Sequence, residues 1–362
     1  MSPLMGRVVS IRFLGGFPAA SGGSPILDPH WEEARAGDIA DGDGSRRPAV
    51  YRIGARVQAT VEVLISGATG SGASGQLRGQ LGPNLTLEGT LPLTDGLQTV
   101  TVSQPAGQNI GNAITRQTGD ASWSIRPPSA APVQLDTTRL EVFAVLDRPA
   151  SFFTQGVWVE ALRLLVRPIG APGVSGAGLE GTRTAPVAMR LTTEYCHGRH
   201  GLSYDTSGTQ NHFGVNHQGG SFHLAAFING LHRLGSCFDI LGAVFVLAGA
   251  IGISTTWLIV EIFGFIAQTN LIGIGSCNSP FFPLGNTGPV VASLDSRRTR
   301  FEIHSFCGSS GRIFDACVGP HVNMITPGNY LLAATDPVNH KNLPRPNVSD
   351  ILSVNSPITS VF

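Results

Sequence analysis

Charged side chains are scarce in this chain of 362 residues. Asp, Glu, Lys and Arg make up only 13% of the sequence, the formal net charge is zero, and aromatic residues contribute 7%. Globular proteins usually carry about 25% charged residues, and proteins that bind nucleic acids present clustered basic ones. We therefore expect no nucleic acid partner. Glycine and proline are frequent, at 46 and 24 residues, which favours a loop-rich protein built mostly of strands.

The sequence contains neither a disulfide framework nor a recognisable signal peptide. Its five cysteines form an odd set without regular spacing, unlike the frameworks of small secreted proteins. The first residues, MSPLMGRVVSIRFLGGF, lack the long apolar stretch of a signal peptide. We expect synthesis in a reducing cytoplasm, and secretion by a route that needs no signal peptide stays open. The cysteines are Cys196, Cys237, Cys277, Cys307 and Cys317.

One uncharged segment has the length of a membrane span. No charged residue lies between Ile240 and Val260, and about 20 apolar residues suffice to cross a bilayer. Glycines and the polar sequence STTW interrupt this segment, however, and no basic flank is present to orient it. A helix over Cys237–Ala250, a glycine stop and a buried strand therefore describe the segment better than a transmembrane helix.

Alternating apolar residues predict a β-rich module over residues 48–168. In the segment RVQATVEVLIS, Val57, Val61 and Ile65 share one face, and polar residues occupy the other. Similar alternation recurs in segments from GQLRGQL to VWVEALRLLV, separated by Gly, Pro, Asn and Ser. Strands at this spacing are typical of an antiparallel sandwich or barrel. We predict a β-sandwich-like module that docks a protein partner, preceded by an N-terminal extension over 1–47.

The remainder of the chain is predicted to form a second domain. Residues 169–187 are rich in Gly and Pro and are predicted to form a linker. An apolar helix and further strands follow over residues 188–326, and residues 327–362 form a polar, proline-bearing tail. This second domain is therefore predicted to combine a helix with strands.

Cys237 begins the apolar helix in the sequence GSCFDILGAVF. A thiol in the first turn of a helix is stabilised as a thiolate by free N–H groups and the helix dipole. Asp239, in the same turn, acts against that stabilisation. A purely structural cysteine is the alternative interpretation, because free cysteine is among the most buried residue types.

His304 and Asp315 flank a turn-forming cluster, CGSSG. With Ser309-Ser310 as a two-residue hairpin loop, residue 304 pairs directly with residue 315 on the neighbouring strand. A carboxylate in that position holds an imidazole in one tautomer. The prediction depends on the register, since a slip of one residue puts the two side chains on opposite faces. An ordinary cross-strand polar pair is the alternative.

These three segments together resemble the transglutaminase-like cysteine-enzyme superfamily over about residues 190–320. The shared features are a G-x-C-x-D helix start, a glycine-terminated helix, and a later strand pair carrying His and then F-D-A-C. The resemblance implies a transglutaminase/papain-like α+β domain in which Cys237 is the nucleophile, His304 the general base and acid, and Asp315 its orienting partner. His232 is the substitute base if His304 is structural. The tryptophan or glutamine that often binds the oxyanion in this superfamily has no clear counterpart.

The implied activity is thiol-dependent acyl transfer on protein or peptide amides, without a cofactor, as a transglutaminase, deamidase or protease. The composition and the appended β module suggest a bacterial effector. Two alternatives stay open. One is an inactive member of the superfamily that serves as a binding or structural module. The other is a zinc-binding module, whose candidate ligands are Cys196, His197, His200, His212, His217 and His223.

Overall fold

Strands dominate the computed structural model, with 41% strand against 16% helix, which confirms a mixed class. The chain divides into two compact units, unit 1 (Met1–Arg148 and Gln155–Val159) and unit 2 (Pro149–Thr154 and Glu160–Phe362). None of the helices in the described part of the chain is long and apolar enough to cross a membrane. The structure describes residues 3–28, 30–33, 47–68, 72–167, 176–208, 211–285, 287–319 and 321–362.

Unit 1 is built on a nine-stranded sheet in the order β4-β1-β6-β9-β8-β7-β10-β11-β5. Its paired strands are antiparallel, except that β5 runs parallel to β11 at one edge. A smaller sheet joins β12, β2 and β3. The strands are β1 (Met5–Leu14), β2 (Ala19–Ser21), β3 (Ser24–Pro25), β4 (Trp31–Glu32), β5 (Ala49–Arg52), β6 (Gln58–Ser66), β7 (Ser74–Leu81), β8 (Leu85–Pro92), β9 (Gly96–Ser103), β10 (Thr115–Arg126), β11 (Val133–Val145) and β12 (Val157–Trp158).

The large sheet curls around one apolar core. The backbone N–H of Val8 in β1 donates to the Asp136 side chain in β11 at 2.9 Å, although these strands lie near opposite ends of the sheet. Buried residues alternate with exposed or partly exposed ones along β6, as the period of two predicts. The architecture is thus a curled sheet in place of two packed sheets. Since β1 pairs along its length with β6 and β4 pairs with β1, two strands within the predicted extension over 1–47 belong to this sheet.

The segment VWVEALRLLV was predicted to be a strand, and this prediction is wrong. After two residues of β12 the chain forms helix α1 (Val159–Leu165). Glu, Ala, Leu and Arg are strong helix formers, and the apolar residues of the segment are nearly all buried in the helical arrangement. Helix propensity and the burial of apolar residues on a helix therefore outweigh the short apolar–polar alternation in this segment.

Unit 2 combines helices with a five-stranded antiparallel sheet, in the order β22-β21-β20-β17-β23. The helices are α2 (Ala185–Glu194), α3 (Leu224–Ile228), α4 (Cys237–Ala250) and α5 (Pro327–Ala334), with a π-helical turn (Tyr195–Arg199) and a 3-10 turn (Val348–Asp350). The strands are β13 (Ser203–Tyr204), β14 (Val215–Asn216), β15 (Gly219–Phe222), β16 (Leu234–Gly235), β17 (Thr256–Gly264), β18 (Thr269–Leu271), β19 (Gly275–Cys277), β20 (Phe301–Ser309), β21 (Arg312–Asp315), β22 (His321–Ile325), β23 (Ile351–Val354) and β24 (Ile358–Val361).

Helix α4 is the central helix of unit 2 and packs against β20. Its bounds confirm the predicted helix, and β17 follows it as the predicted buried strand. Between them Gly252 has a φ of +79°, a conformation that glycine adopts without steric cost. Thirteen of the fourteen residues of α4 are buried, which explains why the sequence reads as hydrophobic on all sides.

The predicted linker and tail both contribute to unit 2. Helix α2 begins at Ala185, inside the predicted linker, whose residues 169–175 lie outside the described residues. The predicted tail forms α5, β23 and β24; β23 extends the five-stranded sheet along β17, and β24 pairs with β15. Tyr330, Leu331 and Ala334 on α5 are buried. Part of the predicted tail therefore packs into the interior of unit 2.

Candidate active site

Cys237 is the first residue of α4, directly after a capping box. The Ser236 hydroxyl accepts from the Asp239 N–H at 3.3 Å, and the Asp239 carboxylate accepts from the Ser236 N–H at 2.9 Å. The N–H groups of a first helical turn have no intrahelical partner, so the N–H of Cys237 is left to other acceptors. The thiol is buried, with its Sγ 4.0 Å from the Ile303 carbonyl oxygen of β20.

Asp239 holds the chain around the start of α4. Its fully buried carboxylate also accepts from the backbone N–H groups of His212 at 3.0 Å and Phe213 at 2.8 Å. Backbone N–H groups thus surround the Asp239 carboxylate. From the sequence, this carboxylate was expected to destabilise the Cys237 thiolate. The geometry gives Asp239 a structural role, because it joins the 211–213 loop to the helix start.

His304 and Asp315 form a buried pair. The His304 Nε2 lies 2.9 Å from the Asp315 Oδ2, and neither side chain is more than 1% exposed. Burial lowers the pKa of His304, but the Asp315 carboxylate and then the Cys237 thiol outweigh it and raise the pKa to about 9. The other ring nitrogen, Nδ1, has no hydrogen-bond partner among the described residues. Nδ1 is therefore not engaged by Asp315.

Asp315 is held by four donors. Its Oδ2 accepts from His304 and from the Tyr330 hydroxyl at 2.8 Å, and its Oδ1 accepts from the N–H groups of Cys317 at 2.7 Å and Val318 at 3.2 Å. Burial raises the pKa of Asp315, but His304 and the other partners prevail and hold it below its ordinary value. The carboxylate is therefore charged at neutral pH and able to orient the imidazole.

The hairpin register differs from the predicted one. Cys307 pairs with Phe314 and Ser309 with Arg312, so the turn is Ser310-Gly311 in place of Ser309-Ser310. Both turn residues have positive φ, +50° and +72°, as the favoured two-residue hairpin turn requires. This register makes residues 304 and 315 diagonal neighbours on one face. Long side chains still meet across such a diagonal, so the predicted contact forms although the predicted pairing is wrong.

A cleft of about 360 Å³ opens beside the thiol. Its lining includes Cys237, Tyr204, Phe281 and Ile303. Strand β13, which ends at Tyr204, pairs in parallel with β16 immediately before Cys237, and this pairing sets the tyrosine beside the helix start. Burial and then nearby ionisable groups, Cys237 first, raise the pKa of Tyr204 well above its usual value. The phenol therefore stays protonated and able to donate a hydrogen bond.

Tyr204 and Tyr330 were not predicted as site residues. Tyr204 lies in the segment CHGRHGLSYDT, inside the range 190–320 of the superfamily resemblance, and that range is the one signal that indicated this region. Tyr330 lies in the predicted tail, and nothing local in GNYLLAA connects it with Asp315. Pairings distant along the chain bring both residues to the site.

The candidate zinc ligands are dispersed. No group of three or more His, Cys, Asp or Glu side chains within the described ranges is placed to hold a metal ion. The His197 Nδ1 lies 2.9 Å from the Ala316 carbonyl oxygen, and the His200 ring stacks on Phe227 at 3.9 Å between centroids. His232, the predicted substitute base, packs its ring against His212 and Phe213, with centroids 5.6 and 5.5 Å away.

Comparisons with known proteins show a distant structural similarity. No family model and no curated protein matches the chain. Among solved structures, the chain is similar to the transglutaminase of red sea bream, with a TM-score of 0.39 and 10% sequence identity. The match covers 75% of this chain and 49% of that protein, so the chain spans about half of its length. The likeness to the transglutaminase-like superfamily stays a resemblance.

Proposed function

We propose that this chain is a cysteine-dependent acyl-transfer enzyme that acts on protein or peptide amides. Unit 2 is the transglutaminase-like catalytic domain in this proposal, and the curled sheet of unit 1 docks a protein partner. The observation that carries the proposal is the convergence of Cys237 with the buried His304–Asp315 pair beside an open cleft. A nucleophile, a base and an orienting group are the three parts that thiol acyl transfer requires, which supports the proposal.

The first step forms a thioester. In the reactive ion pair the thiol proton lies on the His304 Nδ1, in keeping with the raised pKa of that imidazole, and the Cys237 thiolate attacks the amide carbonyl carbon. As the carbon–nitrogen bond breaks, the Nδ1 proton passes to the leaving amine. The Asp315 carboxylate keeps the Nε2 proton directed towards itself and stabilises the imidazolium that forms between these transfers.

Two donors are available for the oxyanion of the tetrahedral intermediate. The N–H of Cys237 has no partner in α4, and Tyr204 lines the same cleft. Donors fixed in advance stabilise a developing negative charge without reorganisation, and loss of one costs about 100- to 1,000-fold in rate. We assign Tyr204 the position for which no tryptophan or glutamine is found.

The second step releases the acyl group. His304 removes a proton from water or from an acceptor amine, which attacks the thioester, and Cys237 leaves as a thiol with that proton. Water gives hydrolysis or deamidation, and an amine gives a cross-link. The chain contains a single lysine, the exposed Lys341. Any cross-link of the enzyme to itself through a lysine therefore forms at one known position, which Lys341→Arg removes.

Intact-mass analysis after treatment with iodoacetamide tests the proposal directly. Burial raises the pKa of Cys196, Cys277, Cys307 and Cys317, and of the five thiols Cys237 is the one that lines the cleft. We expect one rapid addition to the wild type, none to Cys237→Ala, and a much slower one to His304→Ala. Cys277→Ala is the matched control that removes a buried thiol and keeps the rapid addition.

The same variants then meet a glutamine peptide, with and without a primary amine. Conversion of the amide to an acid indicates deamidation, incorporation of the amine indicates transglutamination, and cleavage of the peptide indicates proteolysis. Uniform slow labelling of all five cysteines, with no product from any peptide, contradicts the enzyme and favours an inactive binding module.

A further inference from the structure

The carboxylate that orients His304 has a second side-chain donor on the same oxygen. The Asp315 Oδ2 accepts from the His304 Nε2 at 2.9 Å and from the Tyr330 hydroxyl at 2.8 Å. All three side chains are buried, with Tyr330 and His304 at 0% exposure. Water does not compete for this oxygen, so its negative charge is divided between the two donors.

Tyr330 is fixed in this position by the elements around it. Helix α5 carries it, and Thr326 and Pro327 mark the start of that helix. Its ring packs against Phe306 at 4.6 Å and edge-on against His321 at 5.1 Å between centroids. A ring held by two neighbours has one orientation for its hydroxyl, which makes the hydrogen bond to Asp315 a permanent part of the site.

We propose that Tyr330 is a positioning residue that limits how strongly Asp315 holds the proton of His304. This inference rests on the proposed function, in which His304 must both take and release a proton. A carboxylate oxygen that already accepts from a phenol is a weaker acceptor for the imidazolium. Tyr330 therefore keeps His304 able to give its proton to the leaving amine.

Among the described ionisable groups near the pair, Tyr330 is the one that affects how strongly Asp315 holds the His304 proton. Burial raises the pKa of Tyr330 well above its usual value, so the phenol stays protonated and donates throughout the neutral and mildly alkaline range. Burial lowers the pKa of both His197 and His321, which leaves these rings neutral around pH 7. The titratable groups that face the pair are Cys237 on α4, His197 in the π-helical turn, Cys307 on β20, Cys317 after β21, His321 on β22 and Tyr330 on α5.

The test is a titration of the His304 imidazole by nuclear magnetic resonance, in wild type and in Tyr330→Phe, with the signal assigned from His304→Gln. Loss of the phenol donor leaves the whole charge of Asp315 to His304. We expect the pKa of His304 to rise by roughly half to one pH unit. Tyr51→Phe is the matched control, since it removes a buried hydroxyl that donates to the Leu14 carbonyl at 2.8 Å in unit 1.

A second change at the same position moves the titration the other way. Site-specific fluorotyrosine at 330 keeps the ring and strengthens the donor, so we expect a lower pKa of His304. It also replaces Tyr330→Phe as the test if that variant does not fold. A His304 titration that is unchanged in both variants, or that Tyr51→Phe moves equally, overturns the inference.

The titration needs no turnover, so it separates the two proposals. If peptides are processed, the alkaline limb of the pH profile of kcat/KM follows the pKa of His304 and moves upward in Tyr330→Phe. If no variant reacts with iodoacetamide or peptides while the titration shifts as expected, the proposed function fails and the influence of Tyr330 on the pair stands.

Discussion

The two units of this protein use buried polar groups in opposite ways. In unit 1 the core is a single cluster of apolar side chains inside a curled sheet, and among its described residues the buried polar ones are Thr86, Gln104, Thr138 and Glu141. Unit 2 buries several ionisable side chains, among them Asp239, Arg298, His304 and Asp315. Burial of a charge is costly unless partners compensate it. Unit 2 supplies loop backbone groups as partners for Asp239 and Arg298, and side chains as partners for His304 and Asp315.

Two buried carboxylates make the contrast specific. Glu141 in unit 1 accepts from Arg116 at 2.6 Å, and the arginine is 25% exposed, so the pair connects the core with the surface of β10. Asp315 in unit 2 pairs with an imidazole whose charge depends on pH, and both side chains of this pair are buried. A carboxylate opposite a permanent cation stabilises structure, whereas one opposite a titratable ring also controls a proton.

The largest effect is expected from removal of the Asp315 charge. Asp315→Asn keeps the shape but allows the wrong tautomer of His304, and we expect acyl transfer to fall by about 1,000- to 10,000-fold. Glu141→Gln, the matching change in unit 1, is expected to leave the rate unchanged. The initial rate of hydrolysis of an activated ester measures both. Equal rates in the two variants contradict a special role for Asp315.

The second effect is a pH dependence of stability confined to unit 2. The pKa of His304 is about 9 in the folded protein, whereas an exposed histidine titrates at 6.5, so its contribution is complete below pH 6.5 and is lost as the pH rises through about 9. The shift corresponds to about 3 kcal/mol. Asp315, with a lowered pKa, contributes above its ordinary value of 3.8 and loses that contribution in acid.

Urea unfolding at a series of pH values measures this dependence. We expect the unfolding free energy of unit 2 to fall across the alkaline window in wild type and to change less in His304→Gln, because the variant lacks the titrating ring. The transition of unit 1 serves as the internal reference. If the unfolding free energy of unit 2 falls equally with pH in wild type and His304→Gln, this explanation is contradicted.

A smaller effect is expected from overpacking the core of unit 1. A Cβ at Gly79 meets the Trp123 ring at 2.5 Å, and Trp123 is fixed by its indole N–H, which donates to Thr138 at 2.8 Å. We expect Gly79→Ala to lower the unfolding free energy of unit 1 by about 1–3 kcal/mol. Iodoacetamide labelling of Cys237 stays unchanged. Gly288→Ala is the control, since its nearest contact is 3.9 Å away.

The smallest effect concerns the hairpin turn beside the site. Ser310 has a φ of +50°, and Asn is the residue that this turn position favours before Gly. We expect Ser310→Asn to raise the unfolding free energy of unit 2 by about 0.5 kcal/mol, and Ser310→Val to lower it. Urea midpoints of the two variants measure the difference. The same sign for both contradicts the assigned turn.

Local sequence patterns predicted the elements whose formation depends mainly on neighbouring residues. The apolar run after Ser236 predicted the bounds of α4, and the alternation around Val61 predicted β6. The contact between His304 and Asp315 was also predicted, because both candidate registers place them on one face. The turn itself was misassigned, and the preference for glycine at a positive φ indicates Ser310-Gly311.

Features set by distant segments were not predictable in this way. The curl of the sheet depends on a contact between Val8 and Asp136, and β23 reaches β17 from far along the chain. Tyr330 arrives at Asp315 through the packing of α5. Such pairings are decided by tertiary packing, and no periodicity in the neighbouring sequence records them.

The diagonal contact between β20 and β21 limits how this hairpin can vary over evolutionary time. An insertion or deletion that shifts the register by one residue reverses the face of every later side chain on β21 and takes Asp315 away from His304. A shift of two residues preserves the face and leaves the two side chains either directly opposite or on a diagonal. Relatives that keep the pair are therefore expected to differ in the register of this hairpin by even steps.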